Sequence, residues 1–357
     1  MRTPADRLIA ELNSKRFEKD LKRYAAEKAK KRAQRRKELL EKRIQTDVRL
    51  VAWIDILGFS QQLQAVQTDA DLQAAYRKML FVHEWLNKEA ASDEPEVLAE
   101  ANKIQGRTIL ALSDGIVVTG SLNAEVLGLY SPFDLLMSLV DQIILAQMAC
   151  TMEGIFLRGG ISIGPFHFDN DILLSPALVR AYKLESERAT YPVILISPAT
   201  VAALRRLPGI EAYAKNSEPS RDYFSPFKSP YQKRGERFCF LDYVRYMAAP
   251  DNYFFDSLAD RDAATDRKRP AEERQRIFND SHDKSALKGL QRHRDQLIKA
   301  YQKAESEGVR SKYRWLMRYH NRTLTNITSF YDDALVDLNE FKTPVSPSRV
   351  DHKRRGS

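Results

Sequence analysis

Two short stretches hold the side chains with the most chemical potential. In VAWIDILGFS, residues 51–60, Asp55 closes an apolar run, and Gly58, Phe59 and Ser60 follow at once. In LSDGIVV, residues 112–118, Asp114 sits between a serine and a glycine where two short apolar runs meet. Two carboxylates brought close together repel, and a divalent cation between them is the usual remedy. Hard oxygen ligands suit Mg2+ or Mn2+, which keep open positions for phosphate oxygens. Gly58, Phe59 and Ser60 begin a helical pattern, and a helix start offers N–H groups and partial positive charge to an anion. Singly, each acid has a plainer use: a strand-end Asp caps a helix or turn, and Asp-Gly is a common hairpin tip. The pair, in the order strand, helix, hairpin, is what points to a metal held beside a phosphate.

The elements that must position these residues are legible in the pattern. VRLVAWIDILGF reads as a strand, and Leu63, Val66, Leu72, Tyr76, Leu80, Phe81 and Trp85 recur at helical spacing after it. RTILALSDGIVVTG reads as two strands hinged at Ser113-Asp114-Gly115. Ser-Pro opens two further helices, SPFDLLMSLVDQIILAQMACTMEG and SPALVRAYKLESERA. IFLRGGISIG, YPVILIS and RFCFLDYVRY complete the set of expected strands. Helices alternating with a mixed set of strands predict an α+β fold, a sheet with helices on one face. The turn-rich stretch 214–235 reads as a loop or insertion. The expected organisation is a basic helical arm over 1–46, a main domain over 47–250, and a charged linker over 251–275. A helical segment over 276–341 and a disordered tail over 342–357 follow.

Composition narrows the class. The chain has 357 residues, 43% hydrophobic and 29% charged, enough for a real core. It shows no continuous apolar run of membrane length and no apolar leader, so a cytoplasmic protein without membrane contact is expected. Cys150 and Cys239 fall in no ligand pattern and read as reduced thiols. Residues 1–45 carry 16 Lys/Arg against 7 Asp/Glu, an excess equal to the whole formal charge of +9. The main domain is therefore near neutral, which weighs against nucleic acid as its partner. The arm, KRFEKDLKRYAAEKAKKRAQRRKELLEKR, has a thin apolar stripe and reads as an exposed helix. Binding of the arm to a nucleic acid or an acidic scaffold stays open.

WIDILGFS, LSDGIVV, LRGGISIG and ALVRAYKLESERA, in that order over roughly residues 48–200, resemble the catalytic domain of class III nucleotidyl cyclases. Within that superfamily the wording is most similar to the pyrimidine cyclases of bacterial antiphage defence, the Pycsar family. The resemblance implies a ferredoxin-like sheet and a head-to-tail homodimer with shared active sites. It implies two metal ions, Mn2+ or Mg2+, held by Asp55 and Asp114, with the backbone carbonyl of Ile56 as a further ligand. It matches Gly58, Phe59 and Ser60 to the phosphate-binding turn. The implied reaction converts UTP or CTP to the 3′,5′-cyclic nucleotide and pyrophosphate. The product would act on a separate cyclic-nucleotide-binding effector in antiphage defence.

Departures from the pattern bear on substrate and rate. Purine cyclases of this class usually carry a base-reading Lys or Glu four residues before the second metal Asp. That position is Leu110, which reads no base edge and favours a pyrimidine. The second base-reading carboxylate falls near Asp171. Where the family has an Asn and, four residues on, a transition-state Arg, this chain has Val179 and Lys183. Lysine lacks the guanidinium fork, so Arg180 or Arg158 is expected to share that role, although surface or interface salt bridges would explain both arginines. The missing Asn leaves open a catalytically inactive nucleotide-binding regulatory module.

Overall fold

The computed structural model describes residues 46–87, 106–122, 131–169, 172–207, 224–227, 238–248, 258–327 and 329–341, with positions 19, 96, 102 and parts of 22–38. The chain divides into two compact units, Met1–Thr46 and Asp47–Ser357. In the first, the described positions are helical and exposed. Arg23 pairs with Glu27 at 3.4 Å and Lys28 lies 5.8 Å from the Tyr24 ring, both contacts across one helix turn. The expected tail over 342–357 lies outside the described residues.

The second unit is an α+β fold on a mixed sheet. Its described strands are β1 (Asp47–Ile56), β2 (Arg107–Leu112), β3 (Gly115–Ser121), β4 (Leu157–Asp169), β5 (Ile172–Leu174), β6 (Ile194–Ile196), β7 (Phe224–Phe227) and β8 (Phe238–Leu241). They order as β2-β3-β1-β4-β6-β8-β7, with β5 paired to β4. β1 is central and antiparallel to both β3 and β4, and β4 runs parallel to β6. The helices are α1 (Phe59–Gln64), α2 (Asp69–Asn87), α3 (Pro132–Met152), α4 (Pro176–Arg188), α5 (Pro198–Leu204), α6 (Tyr243–Ala248), α7 (Leu258–Thr265), α8 (Ala271–Lys303) and α9 (Glu307–Thr325).

Strand alternation sends the side chains of β1 two ways. Leu50, Ala52, Ile54 and Ile56 enter the large core with Val82 and Leu86 of α2 and Val140, Ile143 and Ile144 of α3. Val51 enters a smaller cluster with Val117, Phe166 and Ala177, against which Trp53 and Leu110 pack. Helix α4 lies along β4 and β1 on that second side. Gly160 permits it, because a Cβ there would stand 2.2 Å from the carbonyl oxygen of Ala181. Ser131 and Ser175 cap α3 and α4 ahead of a proline, as Ser-Pro signalled, and Ser197 caps α5, a helix not expected from the sequence, in the same way. Helix α3 is long and apolar enough to cross a membrane by composition, yet 72% of that window is buried in the fold, as in a core helix.

Three expectations need correction. RFCFLDYVRY is not one strand: β8 ends at Leu241, and Asp242 starts α6 by accepting the N–H of Arg245 at 3.2 Å. The stretch 214–235, expected as a loop or insertion, contains the strand β7, paired to β8. The expected linker 251–275 contains α7 and the first turn of α8, which begins at Ala271 behind Pro270. The helices that follow belong to the same unit as the sheet.

A directional hydrogen-bond relay secures them. His320 Nε2–H donates to the carbonyl of Ala334 at 2.9 Å, which leaves His320 Nδ1 as acceptor. His293 Nδ1–H then donates to His320 Nδ1 at 2.9 Å, and His293 Nε2 accepts from the Tyr243 hydroxyl at 2.9 Å. This links α6, α8, α9 and the 3-10 turn Ser329–Ala334. Burial pushes His320 down to about 4, and burial with the charge of His320 holds His293 well below the ordinary imidazole value. A second proton would oppose two N–H groups. Because the unfolded rings bind protons more readily, the relay's contribution is complete above pH ~6.5 and is lost as pH falls towards the folded value. The imidazole resonances of both residues are expected to hold neutral-ring positions down to pH 5.5, with urea stability falling below pH 6; titration of either ring near 6.5 would contradict the relay.

Candidate active site

Asp55 stands at the end of the central strand, and register sets its neighbours. Gly115 pairs with it on β3 and Arg158 on β4. Asp114 lies in the two-residue turn before Gly115. That turn is made by Ser113, whose φ of 55° is the positive value required at its first central position, rather than by Gly115. Gly115 lies instead in β3 under the Trp53 ring, where a Cβ would come within 2.2 Å of the indole. Both acids thus reach the same end of the sheet.

The next segment turns over this end. Gly58 takes φ 78° and opens α1, whose first N–H groups have no intrahelical acceptor. Leu57 N–H donates to the Phe156 carbonyl at 2.9 Å, tying the turn to the start of β4. The Ser60 hydroxyl donates to Asp114, so turn and hairpin are joined. Lys78 of α2 donates to Gln62 at 2.5 Å and lies 5.9 Å from the Phe59 ring. Lys78 thereby fixes α1 from behind, a role the sequence pattern did not reveal.

The acids are not alone. Arg158 Nε–H donates to Asp55 at 2.8 Å, and the same nitrogen lies 2.7 Å from Glu185 Oε1. The N–H can align with only one carboxylate, so Asp55 takes the hydrogen bond and Glu185 the charge. Glu185 is 3% exposed on the inner side of α4. Burial raises Asp55, Arg158 opposes the shift, and the charge of Asp114 adds to it. Burial pushes Glu185 up to about 7; Arg158 opposes this, and Asp55 and Asp114 add to it. Lys312 of α9 belongs to the same group: burial and the charge of Arg158 lower it, while Asp55 and Glu185 oppose. Sequence reasoning missed Glu185 and Lys312. Glu185 sits within ALVRAYKLESERA, but only the close approach of α4 aims it at β4.

The remaining candidates lie elsewhere in the chain. Arg180 donates to Ser162 Oγ at 3.1 Å and to the Ile163 carbonyl at 2.8 Å. Ser162 is four strand residues, roughly 13 Å, beyond Arg158, so Arg180 does not join the acids of its own chain. Lys183 and Val179 are on the exposed side of α4. Of the three basic candidates, Arg158 alone pairs with Asp55 within one chain. Leu110 packs into the small apolar cluster. Asp171 lies outside the described residues.

The donor set fits a hard cation in chemistry: two carboxylates share one end of a sheet, and the charge of Asp114 adds to the cost of ionising Asp55. Among the described residues no group of three or more His, Cys, Asp or Glu forms a ready-made metal cluster. A cation here would draw further ligands from backbone, solvent or a bound phosphate.

No protein-family model and no curated protein sequence matches the chain. Solved structures similar to it include a bacterial light-regulated adenylyl cyclase, at 12% identity over 57% of this chain and 54% of that chain, with a TM-score of 0.35. Another is the adenylyl cyclase CyaB from P. aeruginosa, at 15% identity over 56% of this chain and 96% of that one, with a TM-score of 0.31. A third is an adenylate/guanylate cyclase/hydrolase from Silicibacter pomeroyi, at 16% identity over 56% and 98%, with a TM-score of 0.32. Likeness of this degree says nothing of activity; the residues of the site must.

Arg158→Met leaves two buried carboxylates without their main counter-charge. In the metal-free protein at pH 8 it is expected to cost ~2–3 kcal/mol, less than a fully buried pair because Arg158 is partly exposed. Acids whose folded pKa is raised lose stability as pH rises, so the cost should shrink at pH 5.5. Adding Glu185→Gln should recover part of it. Denaturant titrations at both pH values check this; an equal cost at each would remove the carboxylates from the explanation.

Proposed function

We propose that this chain is a metal-dependent nucleotide cyclase, acting on UTP or CTP in the cytoplasm. The observation that carries the reading is the convergence of Asp55 and Asp114 at one end of the sheet, directly under the Gly58–Ser60 turn. Asp55, Asp114 and the Ile56 carbonyl would hold two divalent cations, Mn2+ or Mg2+, which supply charge neutralisation and an acidified ribose hydroxyl. The amides of the Gly58–Ser60 turn hold polyphosphate oxygens. Arg158, freed from Asp55 by a cation, keeps Glu185 as its anchor and turns its fork towards phosphate. The 3′-hydroxyl would release its proton to solvent as its oxygen forms a bond to the α-phosphorus in line, the bond from that phosphorus to the bridging oxygen breaks, and pyrophosphate leaves. Positioning and charge dominate such a reaction.

Leu110 supports a pyrimidine substrate, because an apolar side chain packed in a hydrophobic cluster offers a base no hydrogen bond. The exposure of Lys183 and Val179 fits a head-to-tail homodimer, in which Lys183 serves the partner's site. The same exposure favours a second reading: a chain that stays monomeric would lack Lys183 at its acids and act as a nucleotide-binding regulatory module. The cyclic product would act through a separate effector, with antiphage defence as its setting.

Purified protein with Mn2+ and each of the four nucleoside triphosphates is expected to yield a cyclic product from UTP or CTP. Asp55→Asn and Asp114→Asn should each lower turnover at least about 100-fold. Both should stay folded, since burial already disfavours the charge of Asp55 and Arg158 retains Glu185. Product mass spectrometry and thermal melts check this; turnover surviving in either variant would remove the shared cation site. Triphosphate binding without pyrophosphate release would favour the regulatory module.

A further inference from the structure

We propose that the basic N-terminal arm is a docking surface for duplex DNA, which Lys28, Lys31, Arg32 and Arg35 hold through its phosphate backbone. The inference concerns the first unit alone and does not depend on the cyclase reading.

Residues 28–37 hold seven Lys or Arg and no acid. Helical spacing sorts these charges. Lys28, Lys31, Arg32 and Arg35 fall at i, i+3, i+4 and i+7, on one face, and all four are helical and exposed. The stripe runs roughly 10 Å along the axis. Like charges at such spacings repel across the turn and weaken a helix that stands alone. A helix that is merely solvated relieves the repulsion with acids at the same spacing. The preceding turn does so, where Arg23 pairs with Glu27 at 3.4 Å. Glu38, beyond the stripe, accepts instead from Gln34 at 2.9 Å. Among the described residues no acid pairs with Lys28, Lys31, Arg32 or Arg35. The second unit is near neutral, so the attraction of any polyanion falls to this row.

What the helix lacks identifies the polyanion. Residues 22–38 contain no Leu, Ile, Val, Met, Phe or Trp. A helix lying on a membrane needs such a face to bury among acyl chains. Single strands are held by stacking their bases on aromatic rings, and the one aromatic here, Tyr24, has Lys28 over its ring at 5.8 Å. A duplex requires neither feature. Its phosphates are already ordered, with one charge per ~1.7 Å of axis, and meet a rigid row of cations without being immobilised first. The major groove of B-DNA admits an α-helix, whereas that of A-form RNA is too narrow. Lys30 lies on the far side of the helix from the stripe, where the second wall of such a groove carries phosphates. Phosphate contacts carry no sequence information, so the binding is expected to be independent of sequence.

The test follows full-length protein binding to a fluorescein-labelled DNA duplex by anisotropy, between about 50 and 200 mM salt. Lys28→Gln, Lys31→Gln, Arg32→Gln and Arg35→Gln are combined in one variant; Gln keeps the helix propensity of the residues it replaces. The log–log salt slope should flatten by about 3.6, which removes the roughly 150-fold weakening that four phosphate contacts produce over that range. Exchanging each Lys for Arg and each Arg for Lys at the same four positions should keep the parental slope. Arg267→Gln, Lys268→Gln, Lys284→Gln and Arg318→Gln remove four exposed cations of the second unit and should leave the slope nearly unchanged. Equal flattening there would make net charge the cause and overturn the inference. Parental affinity in the arm variant overturns it, as does failure of the parent protein to bind the duplex. Stronger arm-dependent binding to single-stranded DNA, duplex RNA, polyglutamate or phosphatidylserine vesicles assigns the surface to that partner and overturns the one proposed.

Discussion

One guanidinium holds the charged end of the sheet together. Arg158 is the cation between Asp55 on the central strand and Glu185 on α4, two carboxylates that burial disfavours in their ionised form. Antiparallel register delivers Arg158 directly opposite Asp55. The glycine two residues on lets α4 approach until Glu185 is within reach. Moving that register by one residue would turn Arg158 to the apolar core and leave both acids uncompensated. The arrangement ties strand pairing, helix packing and electrostatics into a single requirement.

The same requirement explains why this end suits a cation and a phosphate. Asp114 is held apart from Arg158 by its place in the hairpin turn, with Ser60 as its hydrogen-bond donor. It brings negative charge that Arg158 does not cancel directly. The neighbouring turn presents backbone donors, and Lys78 braces α1 through Gln62 and the Phe59 ring. Backbone donors and carboxylates thus stand side by side, joined by contacts from the turn, the hairpin and α2.

The C-terminal helices are part of this construction rather than an appendage. Aromatic contacts at Tyr313 and Trp315 dock α9 against β4 and the end of α4, and the Tyr243–His293–His320–Ala334 relay locks α8, α9 and the following turn to α6. A buried relay of neutral groups with each donor matched to an acceptor stabilises one arrangement of these helices over its alternatives.

Much of the local architecture was legible in the chain itself. The apolar run ending at Asp55, the hairpin around Asp114 and the two Ser-Pro helix starts at Ser131 and Ser175 each depend on residues within a few positions of one another. Where a local rule had two outcomes the reading slipped. RFCFLDYVRY has the residues of a strand, yet Asp242 caps a helix inside it, and Gly115 proved to serve Trp53 while Ser113 took the turn. The partners of Asp55 were beyond local reach: Arg158 is 103 residues away, and Glu185, which shares it, is further still. By itself the sequence determined the strand ending at Asp55, the hairpin holding Asp114 and the main helices around them, because propensity and periodicity act over a turn or two. Only the tertiary structure decided which charges meet, because burial, register and helix approach set distances between residues that chain spacing leaves free.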